Sequence, residues 1–234
     1  MLNAQLEPGK VYPYDSLYQM LEKAREEKNS QKIADLYFLL AKYEENNFVR
    51  SENTLEYYLR AKQYYQRVAD TTKINEIELL IGQRYAKAGL YLEAVEIYQR
   101  LTKYFEKQKD SFNIAKTNHL LSKVSLLRAD NEKALEFINR AIIISNLTKD
   151  TSGMIAYSFD KISCYNKLNE LDSALIIAFD AFNLSTNINN NDFKSRALYH
   201  ISEVNNKKKK YDRAIKYGLE SEKLAGYNAY DDHR

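Results

Sequence analysis

Apolar side chains recur along the chain with the spacing of one helix face, and the apolar stretches come in pairs joined by short polar junctions. LLIGQRYAKAG is followed by YLEAVEIYQRL, HLLSKVSLLRAD by NEKALEFINRA, YSFDKISCYNKLN by LDSALIIAFDA, and ALYHISEVNNKKKK by YDRAIKYGLES. Each pair reads as a helical hairpin. Ala94, Ala134, Ala174 and Ala214, near the start of the second members, fall 40 residues apart. Seven residues after each stand Leu101, Ala141, Ala181 and Ser221. That is two turns along the same face, where the small side chains let a neighbouring helix approach. An earlier pair, KIADLYFLLAKYEENNFVRSENTLEYYLRAKQYY, places Leu39, Leu40 and Tyr43 at the spacing of Ile81, Gly82 and Tyr85. Thr54 and Ala61 keep the register of Ala94 and Leu101, which predicts a two-residue longer turn around Asn46 to Glu52.

The pattern predicts a flexible segment at 1–14, a leading helix at 15–28 and hairpins at 31–69, 73–108, 113–147, 153–186 and 192–225, with a tail at 227–234. No charge run or Ser/Gly tract interrupts residues 15–226, which read as a single solenoid. Gly89, Asp130 and Asn169 sit at helix junctions, and Lys209 in the equivalent place predicts a looser turn or a different cap. Asp150 or Thr151, and Asn191 or Asp192, are expected as N-caps, and Gly226 as a helix stop. The leading helix suits an end cap, with Leu17, Leu21 and Ala24 inward. No comparable cap follows the last hairpin. Either that end tolerates water, with only Tyr217, Leu219 and Leu224 needing cover, or, as we expect, the native protein continues beyond Arg234.

Composition narrows the class. Of 234 residues, six are glycine and two are proline, and both prolines lie within the first thirteen positions. A sandwich, barrel or βαβ protein needs many more turn residues, so the expectation is all-α. The formal charge of +3 is too small for a dedicated nucleic-acid or anionic-membrane binder. The opening residues lack the apolar core of a signal peptide, and no stretch approaches the roughly 18 apolar residues needed to span a bilayer. The expectation is a soluble chain of undetermined compartment, the cytoplasm favoured unless a signal or membrane segment has been removed.

Candidate chemistry adds little. The single cysteine, Cys164, lies on an apolar stripe with no acid or histidine at motif spacing, and reads as a buried inert thiol. His119 and His200 occupy corresponding helices a whole hairpin apart, too far to share a metal. Phosphate-loop, HExxH, CxxC and serine-elbow patterns are all absent from the sequence. No enzymatic activity, cofactor or metal is therefore expected, and no catalytic residue is assigned. The twenty tyrosines read as fillers between stacked hairpins, Tyr43, Tyr57, Tyr85, Tyr98 and Tyr165 above all. Lys207 to Lys210 reads as a solvated hairpin tip.

Ile81, Gly82, Tyr85, Gly89, Ala94, Tyr98 and Leu101 together resemble the tetratricopeptide repeat. The period is 40, where that family has about 34, and no unit carries the closing proline. The resemblance implies an alpha-alpha superhelix, a solenoid of antiparallel helical hairpins whose first helices line a concave groove. The side chains it places there include Tyr37, then Glu76, Gln83 and Lys87, then Lys116, His119 and Lys123. Phe159, Asn166 and Lys167 follow, then Arg196, Tyr199, Glu203, Asn206 and Lys207. Glu44, Glu45 and Glu76 make one end acidic, and the farther units are mainly basic. Such a surface suits a protein or peptide carrying an acidic segment, with Phe159 and Tyr199 as apolar anchors. The tyrosine-rich period is also similar to sensing or scaffolding segments of bacterial regulators that couple such arrays to histidine-kinase or helix-turn-helix outputs. The expected function is a protein- or peptide-binding scaffold, the sensing part of a larger regulator. The alternative is an oligomerisation module, a homodimer for instance, acting through convex or terminal surfaces.

Overall fold

The computed structural model describes residues 12–47 and 51–231. Among them the regular structure is entirely helical: α1 (Tyr14–Glu26), α2 (Ser30–Asn47), α3 (Ser51–Arg67), α4 (Thr71–Lys87), α5 (Tyr91–Gln108), α6 (Ser111–Leu127), α7 (Asn131–Leu147), α8 (Thr151–Lys167), α9 (Leu171–Asn187), α10 (Asn191–Lys207) and α11 (Tyr211–Asp231). Most of the expected segment at 1–14 and part of the lengthened turn at 46–52 lie outside the described residues.

The helices are cut to length by their ends. Left-handed backbone recurs at Ala69, Gly89, Lys109, Ala129, Lys149, Asn169, Asn189 and Lys209, so a turn comes every 20 residues and the 40-residue repeat is two such steps. After α4, the Gly89 amide donates to the Ala86 carbonyl (3.2 Å) and the Leu90 amide to that of Tyr85 (2.9 Å). These are the crossed bonds that satisfy the last carbonyls of a helix before a left-handed residue. The next residue caps the following helix: Asp70, Asp110, Asp130 and Asp150 each accept from an amide in its first turn.

Four local expectations are corrected. Ala129 takes the left-handed conformation and Asp130 the cap, because a carboxylate is worth more at an N-cap than in a C-terminal turn. The Lys209 turn is no looser than the others, since Lys209 and Lys210 donate to Asn206 and Asn205 at 2.9 Å each. α10 is capped by Asn190, which accepts from the Phe193 amide, and not by Asn191 or Asp192. At the C-terminus α11 passes through Gly226 to Asp231. A glycine stops a helix where the chain turns left-handed, and Gly226 has no positive φ.

The chain divides into two compact units, residues 1–97 and 98–234, with the boundary inside α5. In the first, Leu17, Leu21 and Ala24 of α1 are buried with Leu36, Leu40, Tyr58, Ala61, Tyr65 and Ile77. Polar groups are buried with them. Tyr58 donates to Glu45 at 2.8 Å, Thr54 donates to the buried Glu44 at 3.2 Å, and Lys62 pairs with the buried Glu78 at 2.7 Å. In the second unit, Ile155, Phe159 and Ile162 of α8, Ala174, Ala178 and Ala181 of α9, and Ala197, Leu198, Ile201 and Val204 of α10 form one apolar cluster. The small residues of α9 let α8 and α10 close over it. Cys164 is fully buried and burial pushes its thiol up to about 11, which keeps it protonated and inert.

Candidate binding groove

In the second unit, α6, α8 and α10 are the first helices of their hairpins, and the side chains expected in a groove meet along them. His119 of α6 is hydrogen-bonded through Nε2 to Asp160 Oδ2 of α8, and its ring lies 4.8 Å from that of Tyr157. Burial alone would raise the Asp160 carboxyl. The His119 hydrogen bond and the nearby charges of His119, Lys123 and Arg196 outweigh it and hold the carboxyl below the usual range. Arg196 of α10 lies with its guanidinium 4.5 Å from the centre of the Phe159 ring, and His200 stacks on that ring at 5.2 Å. His200 Nδ1 and Lys207 Nζ both approach Glu203, at 3.4 and 3.3 Å. The His200 hydrogen bond is the main reason that the Glu203 carboxyl is lowered.

Both acids are thus occupied within the chain, whereas Lys123 and Lys167 are exposed and form no ion pair among the described residues. Lys116 and Asn166 are half-buried, and Arg196 and Asn206 are exposed on the same three helices. Phe159 is a correction: at 2% exposed it is a support under Arg196 and His200, not an available anchor. Tyr199, at 59% exposed, is available. It shares an open cleft of about 450 Å3 with Ser202, Glu203 and Asn206 of α10 and with Ala214, Ile215, Gly218, Leu219 and Glu222 of α11.

The residues expected in the first unit do not form such a surface. Tyr37 is buried, accepts from Arg25 Nη2, and lines a cleft of about 560 Å3 between α1 and α3. Glu76 pairs with Lys73 at 2.8 Å, Gln83 is half-buried and Lys87 exposed. The supposed acidic end is largely consumed internally. Glu44 is 2% exposed, and Glu45 accepts from Tyr58 and pairs with Lys42 and Arg84, each at 3.1 Å. Asp160 and His200 were not among the side chains chosen from the sequence for the candidate groove. Both are reached from the other helix by 41 residues, His119 to Asp160 and Phe159 to His200, one more than the repeat. That offset was the available signal.

No protein-family profile matches the chain, and no curated protein matches it by sequence. Solved structures do. BtubC (BKLC) from P. vanneervenii is similar with a TM-score of 0.74 at 13% identity, over 92% of this chain and 91% of that one. A Rap protein, complexed with Competence and Sporulation Factor, is similar with a TM-score of 0.73 at 16% identity, over 89% of this chain and 58% of that one. A signal transduction ATPase with numerous domains from Pyrococcus horikoshii, which has a tetratricopeptide repeat sensor, gives 0.75 at 16%, over 93% of this chain and 34% of that one. The chain thus spans about three-fifths and one-third of the latter two proteins. The fold is that of tetratricopeptide-like helical repeats.

Proposed function

We propose that this chain is a protein- or peptide-binding scaffold in a bacterial regulatory system, and that the α6–α8–α10 face takes an acidic segment of its partner. The carrying observation is the charge balance of that face. Asp160 and Glu203 are satisfied by histidines of the same chain, which leaves Lys123, Lys167 and Arg196 outward as cations. Tyr199 adds an exposed ring for apolar contact. The Rap protein holding Competence and Sporulation Factor, and the ATPase whose repeats are a sensor, support a regulatory setting. The whole protein's output is part of this proposal and not of the fold.

Affinity capture of the partner followed by peptide mapping tests it. The double variant Lys123→Glu, Lys167→Glu should lose most of the captured partner and its salt sensitivity while melting as the wild type does, because exposed charges steer association and contribute little to folding. A second reading, oligomerisation through the convex helices, has its own observation: Ile143 of α7 and Ile176 of α9 are 57% and 62% exposed. Undiminished capture by the lysine variant, with loss on Ile143→Glu and Ile176→Glu, would transfer the function to that surface.

A further inference from the structure

Residues of α5, α6 and α7, all within the unit 98–234, surround an open cleft of about 600 Å3. Ile114, Asn118 and Leu121 line it from the face of α6 opposite Lys116, His119 and Lys123. Phe137, Ile143 and Ile144 of α7 make one wall apolar, and Ile143 is 57% exposed. The charges along the rim cancel. Lys103 and Glu106 of α5 are exposed with opposite signs, and Arg140 is held by Glu136 at 2.8 Å. Thr102 spends its hydroxyl on the Tyr98 carbonyl, but Asn118 is unspent. Its side chain is 4% exposed, and Nδ2 donates to the Ile114 carbonyl at 2.8 Å. The second N–H and Oδ1 have no partner among the described residues. At the equivalent positions 40 residues away, Glu78 pairs with Lys62 at 2.7 Å and Ser158 donates to the Met154 carbonyl at 2.8 Å. Asn205 makes the same kind of bond to Ile201, but its Oδ1 is enclosed by protein, whereas that of Asn118 opens on the cleft.

We infer that this cleft binds an uncharged, apolar segment of a partner protein in extended conformation. One of its residues pairs through its backbone with the Asn118 side chain, and a neighbouring aliphatic or aromatic side chain enters among Ile114, Leu121, Phe137 and Ile144. The free donor and acceptor of the Asn118 amide lie side by side, and the N–H and C=O of a residue in an extended strand point to the same side, as in the paired residues of a sheet. An ionised carboxylate is an acceptor only and would leave the buried Oδ1 unpaired. A helix, from a partner or from a second copy of this chain, has its interior backbone groups bonded internally and cannot supply the pair. The balanced rim selects no charge, and the volume is that of a ligand site. A further repeat would extend the array at its end, whereas this cleft lies inside the array, between α5 and α7. The inference stands apart from the lysine groove, which uses the opposite face of α6.

The probes are fluorescent, end-blocked peptides Gly-Gly-X-X-Gly, with X leucine, isoleucine, valine or phenylalanine, added to the full 234-residue chain and followed by anisotropy. We expect at least one to bind saturably, with an affinity that added salt leaves unchanged. Asn118→Leu keeps the side-chain volume and removes both hydrogen-bonding groups, and should weaken that binding about tenfold. The same peptide N-methylated at both X residues keeps its apolar surface, loses those donors, and should weaken to a similar degree. Ile143→Glu should weaken it about tenfold through the apolar wall; Ile143 is exposed, so this variant should fold, and circular dichroism checks that both variants do. Absence of saturable binding by every peptide overturns the inference, as does equal binding by Asn118→Leu or by the N-methylated peptide. So does a dimer in sedimentation that Ile143→Glu dissociates, because the occupant is then a second copy.

Discussion

One position in the repeat separates the first unit from the later hairpins of the second. Tyr58 of α3 is followed at 40-residue steps by Tyr98, Ile138, Ala178 and Gly218. The first four are all within 1% of complete burial, although they shrink from a phenol to a methyl group. In the first unit the large ring brings a hydroxyl inside, and the unit answers with one buried carboxylate, Glu44, and two half-buried ones, Glu45 and Asp35. Tyr58 bonds to Glu45, Tyr65 to Asp35, and Tyr14 and Thr54 to Glu44. Burial, with the Glu45 hydrogen bond behind it, pushes the Tyr58 phenol far above its ordinary range, so it stays a donor. In the second unit the volume is filled from the flanking helices, by Phe159, Ile162 and Ile201 around Ala178. The same helix spacing is therefore met either by a hydrogen-bonded polar core or by interlocking of small and large apolar groups.

The largest break in this comparison should come from removing the ring. Tyr58→Ala should cost about 3–5 kcal/mol in urea unfolding, and Tyr58→Phe, which keeps the volume but deprives Glu45 of a donor, about 1–3 kcal/mol. Equal losses would show that the hydroxyl and not the ring sustains the first unit.

The opposite change in the second unit should be smaller. Ala178→Leu forces added volume into a closed contact and should destabilise by about 1–3 kcal/mol. A neutral outcome, with unchanged helix content, would mean that α8 and α10 are not in fixed contact over α9.

The smallest effect is electrostatic and distinguishes the proposed groove from ordinary surface. Asp160 has a lowered carboxyl in the folded chain, so the unfolded chain binds more protons just below the ordinary carboxylate range of about 4. Its stabilisation is complete above that range and is lost as pH falls through the folded-state value. Asp160→Asn should flatten the acid limb of a stability profile between pH 2 and 6, by on the order of 1 kcal/mol or less. An unchanged profile would detach Asp160 from His119, Lys123 and Arg196.

The helical class was legible from apolar spacing and the lack of glycine and proline. The finer 20-residue cadence was partly hidden, because its left-handed positions carry alanine, lysine and asparagine as well as glycine. A non-glycine residue there costs about 1–2 kcal/mol, and the crossed backbone bonds offset it in a way that no single residue type announces. The regular aspartates at 70, 110, 130 and 150 were the readable half of the same turns. For the proposed groove, the sequence located the helices and cations, but not which of the side chains remain available.

By itself, then, the sequence determined the helices, their pairing and the cores they would seek, because periodicity and side-chain size act locally and are written in order. Tertiary packing decided what each exposed-looking charge or ring could do. It placed Phe159 beneath Arg196 and His200, sealed Glu44 among hydroxyls, and left Lys123, Lys167 and Tyr199 facing solvent. Availability depends on neighbours 30 to 41 positions away, and helical periodicity carries no information about those distances.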